Sequence, residues 1–167
     1  QPSLLLEYQR ECSSRWYLHL LYIAHGGKQV KVGILKEIKV LENRVCMVPS
    51  GVATMIANGH EVIVETNAGA GAGYPDADYV AAGATIADTP ADVYGSCDMV
   101  MHVKEPQPSE YELIREGQIV FTYLHLAADR PQTEALVKAK SINIAYETIE
   151  KADGSLPLLV PMSEVAG

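Results

Sequence analysis

Short apolar runs alternate with segments of helical spacing from Val30 to the end of the chain. Runs rich in β-branched and aliphatic residues predict strands over residues 31–35, 61–65, 84–86, 98–103, 119–124 and 141–146. Periodic apolar positions with typical start and stop residues predict helices over residues 49–57, 74–82, 90–94 and 130–140. Because strands that alternate with helices imply right-handed crossovers, the pattern predicts an α/β fold. We expect a three-layer, mostly parallel, Rossmann-like or flavodoxin-like sheet flanked by helices.

His125 stands where one of these buried strands should end. The run Phe121–Leu126 is apolar, aromatic and β-branched, the following Ala127-Ala128 is small, and Asp129-Arg130-Pro131 is a good helix start. Ligands of open α/β sheets bind beyond the carboxyl ends of strands, where an imidazole can exchange protons near neutral pH. His125 is therefore a candidate acid or base, and the alternative is a histidine that only caps a loop.

The composition suits a single globular domain. Apolar residues make up 48% of the 167 residues, and 21 acidic residues against 13 basic ones give a formal net charge of −8. Since no cluster of Lys or Arg stands out, neither nucleic acid nor an anionic membrane is an expected partner. Cys12, Cys46 and Cys97 have neither metal-ligand spacing nor an even count. We therefore expect reduced thiols, no metal site and a cytoplasmic protein.

Residues 1–29 do not share this pattern. They include Leu4-Leu5-Leu6 and Trp16-Tyr17-Leu18 but show no clean helical or strand period. Glu7 precedes every basic residue, unlike a signal peptide, and the uncharged run over residues 16–27 is too short to span a bilayer. We expect the domain to begin at Val30, with residues 1–29 being translated upstream sequence or an artefact. The alternative is an amphipathic arm that packs on a partner subunit.

The glycine-rich run Gly69-Ala70-Gly71-Ala72-Gly73 follows a predicted strand, as a phosphate-binding loop would. It does not match Gly-x-Gly-x-x-Gly, because Tyr74 and Asp76 stand where the final glycine would have to fall. No long helix is predicted after it. We therefore expect a tight, mobile loop rather than a phosphate site.

Three other charged residues lie at the ends of predicted elements. Arg44 follows the first strand, and its planar fork suits a carboxylate, although a surface pair with Glu42 is the commoner arrangement. Lys104 closes the strand over residues 98–103, where an ammonium can polarise a carbonyl, or simply be solvated at a turn. Glu147 follows the last strand. Because the carboxyl ends of parallel strands converge, these residues suggest one cleft.

Several longer motifs carry a resemblance to a known family. From Val30 to Gly167 the chain resembles the amino-terminal part of alanine dehydrogenase, within the alanine dehydrogenase/pyridine nucleotide transhydrogenase family. Leu35 and Val160 depart from the family's usual residues, but neither carries chemistry. The matching runs are Lys36–Lys39, Glu42–Val45, Val103–Pro106, Phe121–Ala128, Ile144–Thr148 and Pro161–Gly167.

The resemblance implies roles for five residues. Arg44 and Lys104 resemble the pair that holds the carboxylate and carbonyl of pyruvate, and His125 resembles the catalytic histidine. Met162 and Ser163 resemble residues on the cofactor side of the cleft. Family enzymes interconvert L-alanine with pyruvate and ammonia using NAD, and they form homo-oligomers, typically hexamers.

Two other functions stay open. The NAD-binding first domain of proton-translocating transhydrogenase resembles this fold but lacks the matching lysine and histidine, so Lys104 and His125 discriminate against it. A non-catalytic interaction domain is the second alternative. We expect residues 30–167 to be the substrate domain, truncated before the NAD-binding Rossmann domain. The isolated chain is therefore expected to be inactive.

Overall fold

The fold is a parallel sheet between two layers of helices. The computed structural model describes residues 29–160 and 163–164. Within them the strands are β1 Lys31–Ile34, β2 Glu61–Glu65, β3 Thr85–Ala87, β4 Met99–Met101, β5 Ile119–Thr122 and β6 Ile142–Ala145. The α-helices are α1 Pro49–Ala57, α2 Asp76–Ala81, α3 Pro90–Ser96 and α4 Arg130–Ala139. Single 3-10 turns span Ala70–Ala72, Tyr111–Leu113, Leu126–Ala128 and Tyr146–Thr148.

All the paired strands run parallel, in the order β3-β2-β1-β4-β5-β6. Val32 in β1 pairs with Val62 on one side and with Met99 on the other. The order of strands reverses between β1 and β4, and the crevice beyond such a reversal is where ligands of doubly wound sheets bind. The predicted α/β, mostly parallel fold is confirmed.

Two apolar clusters cover the two faces of the sheet, as alternation along each strand requires. In β4, Met99 and Met101 face one cluster while Val100 faces the other. The first cluster contacts α1 and α2 through Val52, Met55 and Tyr79, and the second contacts α3 and α4 through Val93, Tyr94 and Leu136. β5 is buried on both faces, which explains its continuous apolar sequence.

Two of the predicted strands end two residues too late, at the carboxyl edge of the sheet. The strand predicted over 98–103 ends at Met101, and the strand predicted over 119–124 ends at Thr122. In both cases the backbone N–H groups that follow turn away from the sheet to glutamate side chains, at Val103 and Leu124 respectively. These side-chain acceptors replace the ladder hydrogen bonds that would have continued the strands.

The glycine-rich run forms a 3-10 turn over Ala70–Ala72, closed by Gly73 at φ 88°. Its glycines serve packing within the chain: a Cβ on Gly69 would lie 2.5 Å from the Tyr79 ring. The helix that follows, α2, has six residues and begins after the extended Pro75. The mobility of this loop stays a prediction.

Gly33 lies where α3 approaches the sheet. A Cβ built there would be 2.5 Å from Val93 Cγ1 and 3.0 Å from Cys97 Sγ. Both of those side chains are fully buried. Since neighbours in a close-packed core cannot yield freely, this contact fixes a glycine at the centre of β1.

We predict that Gly33→Ala lowers the free energy of unfolding by about 1–3 kcal/mol, as overpacking a filled core does. The control is Gly95→Ala in α3, where an added Cβ meets no atom within 4 Å. That change should leave stability equal or raise it, because alanine favours helix more than glycine does. Urea unfolding of both variants checks this, and equal stability of the two would contradict the packing argument.

Candidate functional site

The three residues predicted for chemistry lie beyond three adjacent strands. Arg44 is in the loop after β1, Lys104 in the loop after β4 and His125 in the loop after β5. In the sheet these strands stand in the order β1-β4-β5, so the loops share one edge at the reversal of strand order. The structure therefore brings the three loops to the same edge, as predicted for parallel strand ends.

Lys104 is held through both of its backbone polar groups. Its N–H donates to Glu37 Oε2 at 3.2 Å, and its carbonyl accepts a hydrogen bond of 2.7 Å from Thr122 Oγ1. Thr122 is fully buried at the end of β5. The base of the Lys104 side chain is thus fixed against β1 and β5, and its ammonium projects from a fixed point.

His125 adopts a left-handed backbone conformation, with φ 49° and ψ 37°. Such a conformation costs an L-residue other than glycine about 1–2 kcal/mol and is frequent at functional sites. Two hydrogen bonds hold it: Glu147 Oε1 accepts from His125 N–H at 2.8 Å and from Leu124 N–H at 3.1 Å. The predicted helix start is confirmed, since Asp129 caps α4 by accepting from Gln132 N–H at 3.0 Å.

The ring of Tyr123 lies beside His125. It stacks on the His125 ring with centroids 6.1 Å apart and an interplanar angle of 14°. Burial raises the pKa of Tyr123, the Glu147 charge raises it further, and the nearby Arg44 guanidinium opposes both. The Tyr123 hydroxyl is anchored on Leu158 O at 2.9 Å.

Arg44 makes a two-pronged pair with Glu42. Its Nε donates to Glu42 Oε1 at 2.7 Å, and its Nη2 donates to Glu42 Oε2. This hydrogen bond is the main reason that the pKa of Glu42 is lowered, and the Lys104 ammonium adds to the effect. The pair between Arg44 and Glu42, which the sequence left open as the alternative, is thus present. It shows that the guanidinium fork can donate two hydrogen bonds to one carboxylate. A ligand carboxylate would displace Glu42 or use the remaining donors.

Sequence reasoning missed a buried ionic cluster at the same edge. The ring nitrogens of His102 contact two carboxylates: Nδ1 lies 3.3 Å from Glu37 Oε1 and Nε2 lies 3.1 Å from Glu110 Oε1. Tyr94 Oη lies 3.2 Å from the same Nε2. The side chain of His102 is 2% exposed, and those of both glutamates are 4% exposed.

The cluster shifts the titration of His102. Burial alone would lower the pKa of this imidazole, but the hydrogen bonds to Glu110 and Glu37 outweigh burial and raise it to about 9. The sequence offered one signal for this cluster, which was the position of His102 within an apolar run at the end of a predicted strand. Glu37 and Glu110 gave no such signal, because their partners are distant along the chain or lie in an irregular loop.

The placement of Met162 and Ser163 on the cofactor side of the cleft stays a prediction. Met162 lies outside the described residues. Ser163 is exposed, and its N–H donates to Leu159 O at 3.1 Å.

The described part of the chain does not fit a dinucleotide pyrophosphate. The turn at Gly69–Gly73 packs against its own chain, and the first turn of the helix after it carries Asp76 and Asp78, which would repel an anion. β1 is followed by fourteen residues of irregular chain before α1 rather than by a glycine turn and helix.

Cys46 and Cys97 are free thiols, whereas Cys12 lies outside the described residues. Burial raises the pKa of both thiols. Among the residues that the structure describes, no group of three or more His, Cys, Asp or Glu side chains could hold a metal ion. Within the same residues, no helix has the length and apolar character needed to cross a membrane.

The raised pKa of His102 predicts a loss of stability in mild alkali. Because the folded pKa exceeds the ordinary value of 6.5, the contribution is complete below pH 6.5 and declines as pH rises towards about 9. Urea unfolding should show a loss of about 2 kcal/mol between about pH 7 and pH 8.5. The His102→Gln variant should show no such decline, and an equal decline in that variant would assign the effect elsewhere.

Comparisons with known proteins agree with this geometry. A family profile described as alanine dehydrogenase/PNT, N-terminal domain, matches residues 33–166. Alanine dehydrogenase from Staphylococcus epidermidis is 56% identical over 138 residues, which are 83% of this chain and 37% of the relative. Alanine dehydrogenase from Methanococcus maripaludis is 52% identical over 136 residues, which are 81% of this chain and 36% of the relative.

Solved structures give the same result. An L-alanine dehydrogenase is 51% identical with a TM-score of 0.79, covering 81% of this chain and 37% of that structure. A transhydrogenase from Sinorhizobium meliloti is 30% identical with a TM-score of 0.66, covering 70% of this chain and 35% of that structure. The chain thus spans about 37% of the length of the alanine dehydrogenases it matches. It belongs to the alanine dehydrogenase/PNT N-terminal domain family.

Proposed function

We propose that residues 30–167 are the substrate domain of an L-alanine dehydrogenase, which converts L-alanine, NAD and water into pyruvate, ammonia and NADH. The observation that carries the proposal is the common edge shared by Arg44, Lys104 and His125, with the last two fixed through their backbones. The identity of more than half of the residues to alanine dehydrogenases supports the same assignment.

Each residue has a role that its geometry supports. The Arg44 fork binds the carboxylate of pyruvate or L-alanine, as it binds that of Glu42. Lys104 donates to the keto oxygen and stabilises the negative charge that develops there. His125, whose ring is accessible at the edge, moves protons.

His125 acts as acid and base in the hydrolytic half of the reaction. Water attacks the α-carbon of the protonated imino acid formed from alanine, so that a C–O bond forms, the C=N bond becomes single, and His125 accepts a proton from the water. The same ring then returns that proton to the amine nitrogen and the C–N bond breaks. Ammonia leaves, and the proton of the new hydroxyl passes to solvent as the carbonyl of pyruvate forms. NAD would be held mainly by residues of a longer protein, with Met162 and Ser163 at the margin.

The wider setting follows from the same proposal. The complete protein would be a cytoplasmic homo-oligomer, a hexamer as in the family, without a nucleic-acid or membrane partner. The predictions for residues 1–29 stay predictions, because residues 1–28 lie outside the described part of the chain. The chain alone would not oxidise alanine.

A second candidate is the NAD-binding first domain of a transhydrogenase. The 30% identity to the Sinorhizobium meliloti structure favours it. Lys104 and His125 favour the dehydrogenase, because a domain that only binds a dinucleotide needs neither a cation for a keto group nor a proton carrier.

We predict that His125→Ala in the full-length protein lowers the rate of alanine oxidation by about 10²–10⁴, the usual contribution of a positioned acid–base group. The matched control is Lys138→Gln, which removes an exposed ion pair with Glu112. Steady-state rates and circular dichroism check both variants. If His125→Ala kept its activity within tenfold, the proposed role would be wrong.

A further inference from the structure

Two buried carboxylates accept hydrogen bonds from the backbone of the loop that carries Lys104. At the start of the loop, Glu37 accepts from Val103 N–H at 2.6 Å and from Lys104 N–H at 3.2 Å. At its other end, Glu110 Oε2 accepts from Gln107 N–H at 2.8 Å. The backbone of residues 103–107 is therefore fixed at both ends by side chains rather than by the sheet.

His102 stands between these two carboxylates. Its Nδ1 lies 3.3 Å from Glu37 Oε1, and its Nε2 lies 3.1 Å from Glu110 Oε1. Since an ionised carboxylate can only accept, the ring bonds both carboxylates only if it donates from both nitrogens. That arrangement is an imidazolium, and a neutral ring would leave one nitrogen facing a carboxylate without a proton between them. The Tyr94 hydroxyl, 3.2 Å from Nε2 and 3.4 Å from Glu110 Oε1, is the other donor available at that nitrogen.

The charges around the ring require the same cation. Glu37 reaches it from the loop after β1 and Glu110 from the loop after β4. Glu65, at the end of β2, adds a third negative charge that acts on the cluster, and the neutral Tyr94 hydroxyl faces the ring from α3. Buried charges need partners, and a doubly protonated His102 ring supplies one to these carboxylates.

We propose that His102 is a positioning residue of the substrate site: its doubly protonated ring holds Glu37 and Glu110, and these two carboxylates fix the loop from which Lys104 projects. His102 itself touches no substrate. The proposal rests on the proposed function only for the consequence at pyruvate, because the hold on the loop is a property of this chain.

The hold on the loop has a local signature. When the ring loses its proton in alkali, the N–H groups of Val103, Lys104 and Gln107 should exchange faster, while the body of the sheet stays protected. Amides of α4, such as those of Leu136 and Val137, lie within a helix and donate to none of these carboxylates, so they report on global stability.

The first experiment measures amide hydrogen exchange on the 167-residue chain by NMR, expressed as protection factors. In His102→Gln, protection at Val103, Lys104 and Gln107 should fall at least about tenfold, the scale of one lost hydrogen bond to a charged group. His102→Lys retains a buried cation and should restore most of this protection. The α4 amides should not change in either variant.

The wild-type chain gives the same test without a substitution. Protection at the three loop amides should decline between about pH 7 and pH 9.5, towards the behaviour of His102→Gln, as the ring loses its proton. Protection factors at these amides that are flat with pH, or that are the same in His102→Gln as in the wild type, would overturn the proposal. So would a loss of equal size at the α4 amides.

The second experiment uses the full-length enzyme and separates the two proposals. His102→Gln should lower kcat/KM for pyruvate by about tenfold and remove the alkaline decline of the wild-type pH profile, and His102→Lys should recover activity. Unchanged kcat/KM in His102→Gln would contradict the positioning role. If the wild type itself had no alanine dehydrogenase activity, the proposed function would fail while the exchange data still decided the hold on the loop.

Discussion

Backbone N–H groups that follow the strands donate hydrogen bonds to carboxylates from neighbouring segments. The loops at the carboxyl edge of the sheet depend on this arrangement. Glu65 at the end of β2 accepts from Lys36 N–H after β1, and Glu37 after β1 accepts from Val103 N–H after β4. Glu147 after β6 accepts from His125 N–H after β5. Parallel strands leave these amides unpaired where pairing ends, and an unpaired buried amide is costly. The carboxylates meet that need and at the same time set the path of each loop.

This arrangement explains why the site is ordered although it is built from loops. Side chains hold the backbone at Lys104 and at Leu124–His125, so the points from which the Lys104 and His125 side chains project are set before a ligand arrives. Preorganisation of this kind is where catalytic sites gain most of their effect. Arg44 differs, because two hydrogen bonds to Glu42 in its own loop hold its guanidinium. In the proposed function a ligand carboxylate would displace Glu42 or use the remaining donors.

The sequence was sufficient for the fold and insufficient for the ionic cluster. Strand β2 and helix α1 were predicted with the bounds they have, because apolar period and stop residues are local properties. The end of β4 was not, since His102 and Val103 continue an apolar run, whereas in the structure the N–H groups of Val103 and Lys104 donate to Glu37. That partner lies 65 residues from His102 along the sequence, and no local pattern records such a pairing.

The protonation state of His102 at neutral pH tests the account most directly. ¹⁵N NMR of the ring in the 167-residue chain should show both nitrogens protonated at about pH 7 and deprotonation only near pH 9. The reason is that the two carboxylates raise the pKa of the ring by more than burial lowers it. A ring that is neutral at pH 7, with one bare nitrogen, would contradict the account. Glu37 and Glu110 would then lack the cation that we propose holds them. The loop of Lys104 would in turn lack the support that these carboxylates give it.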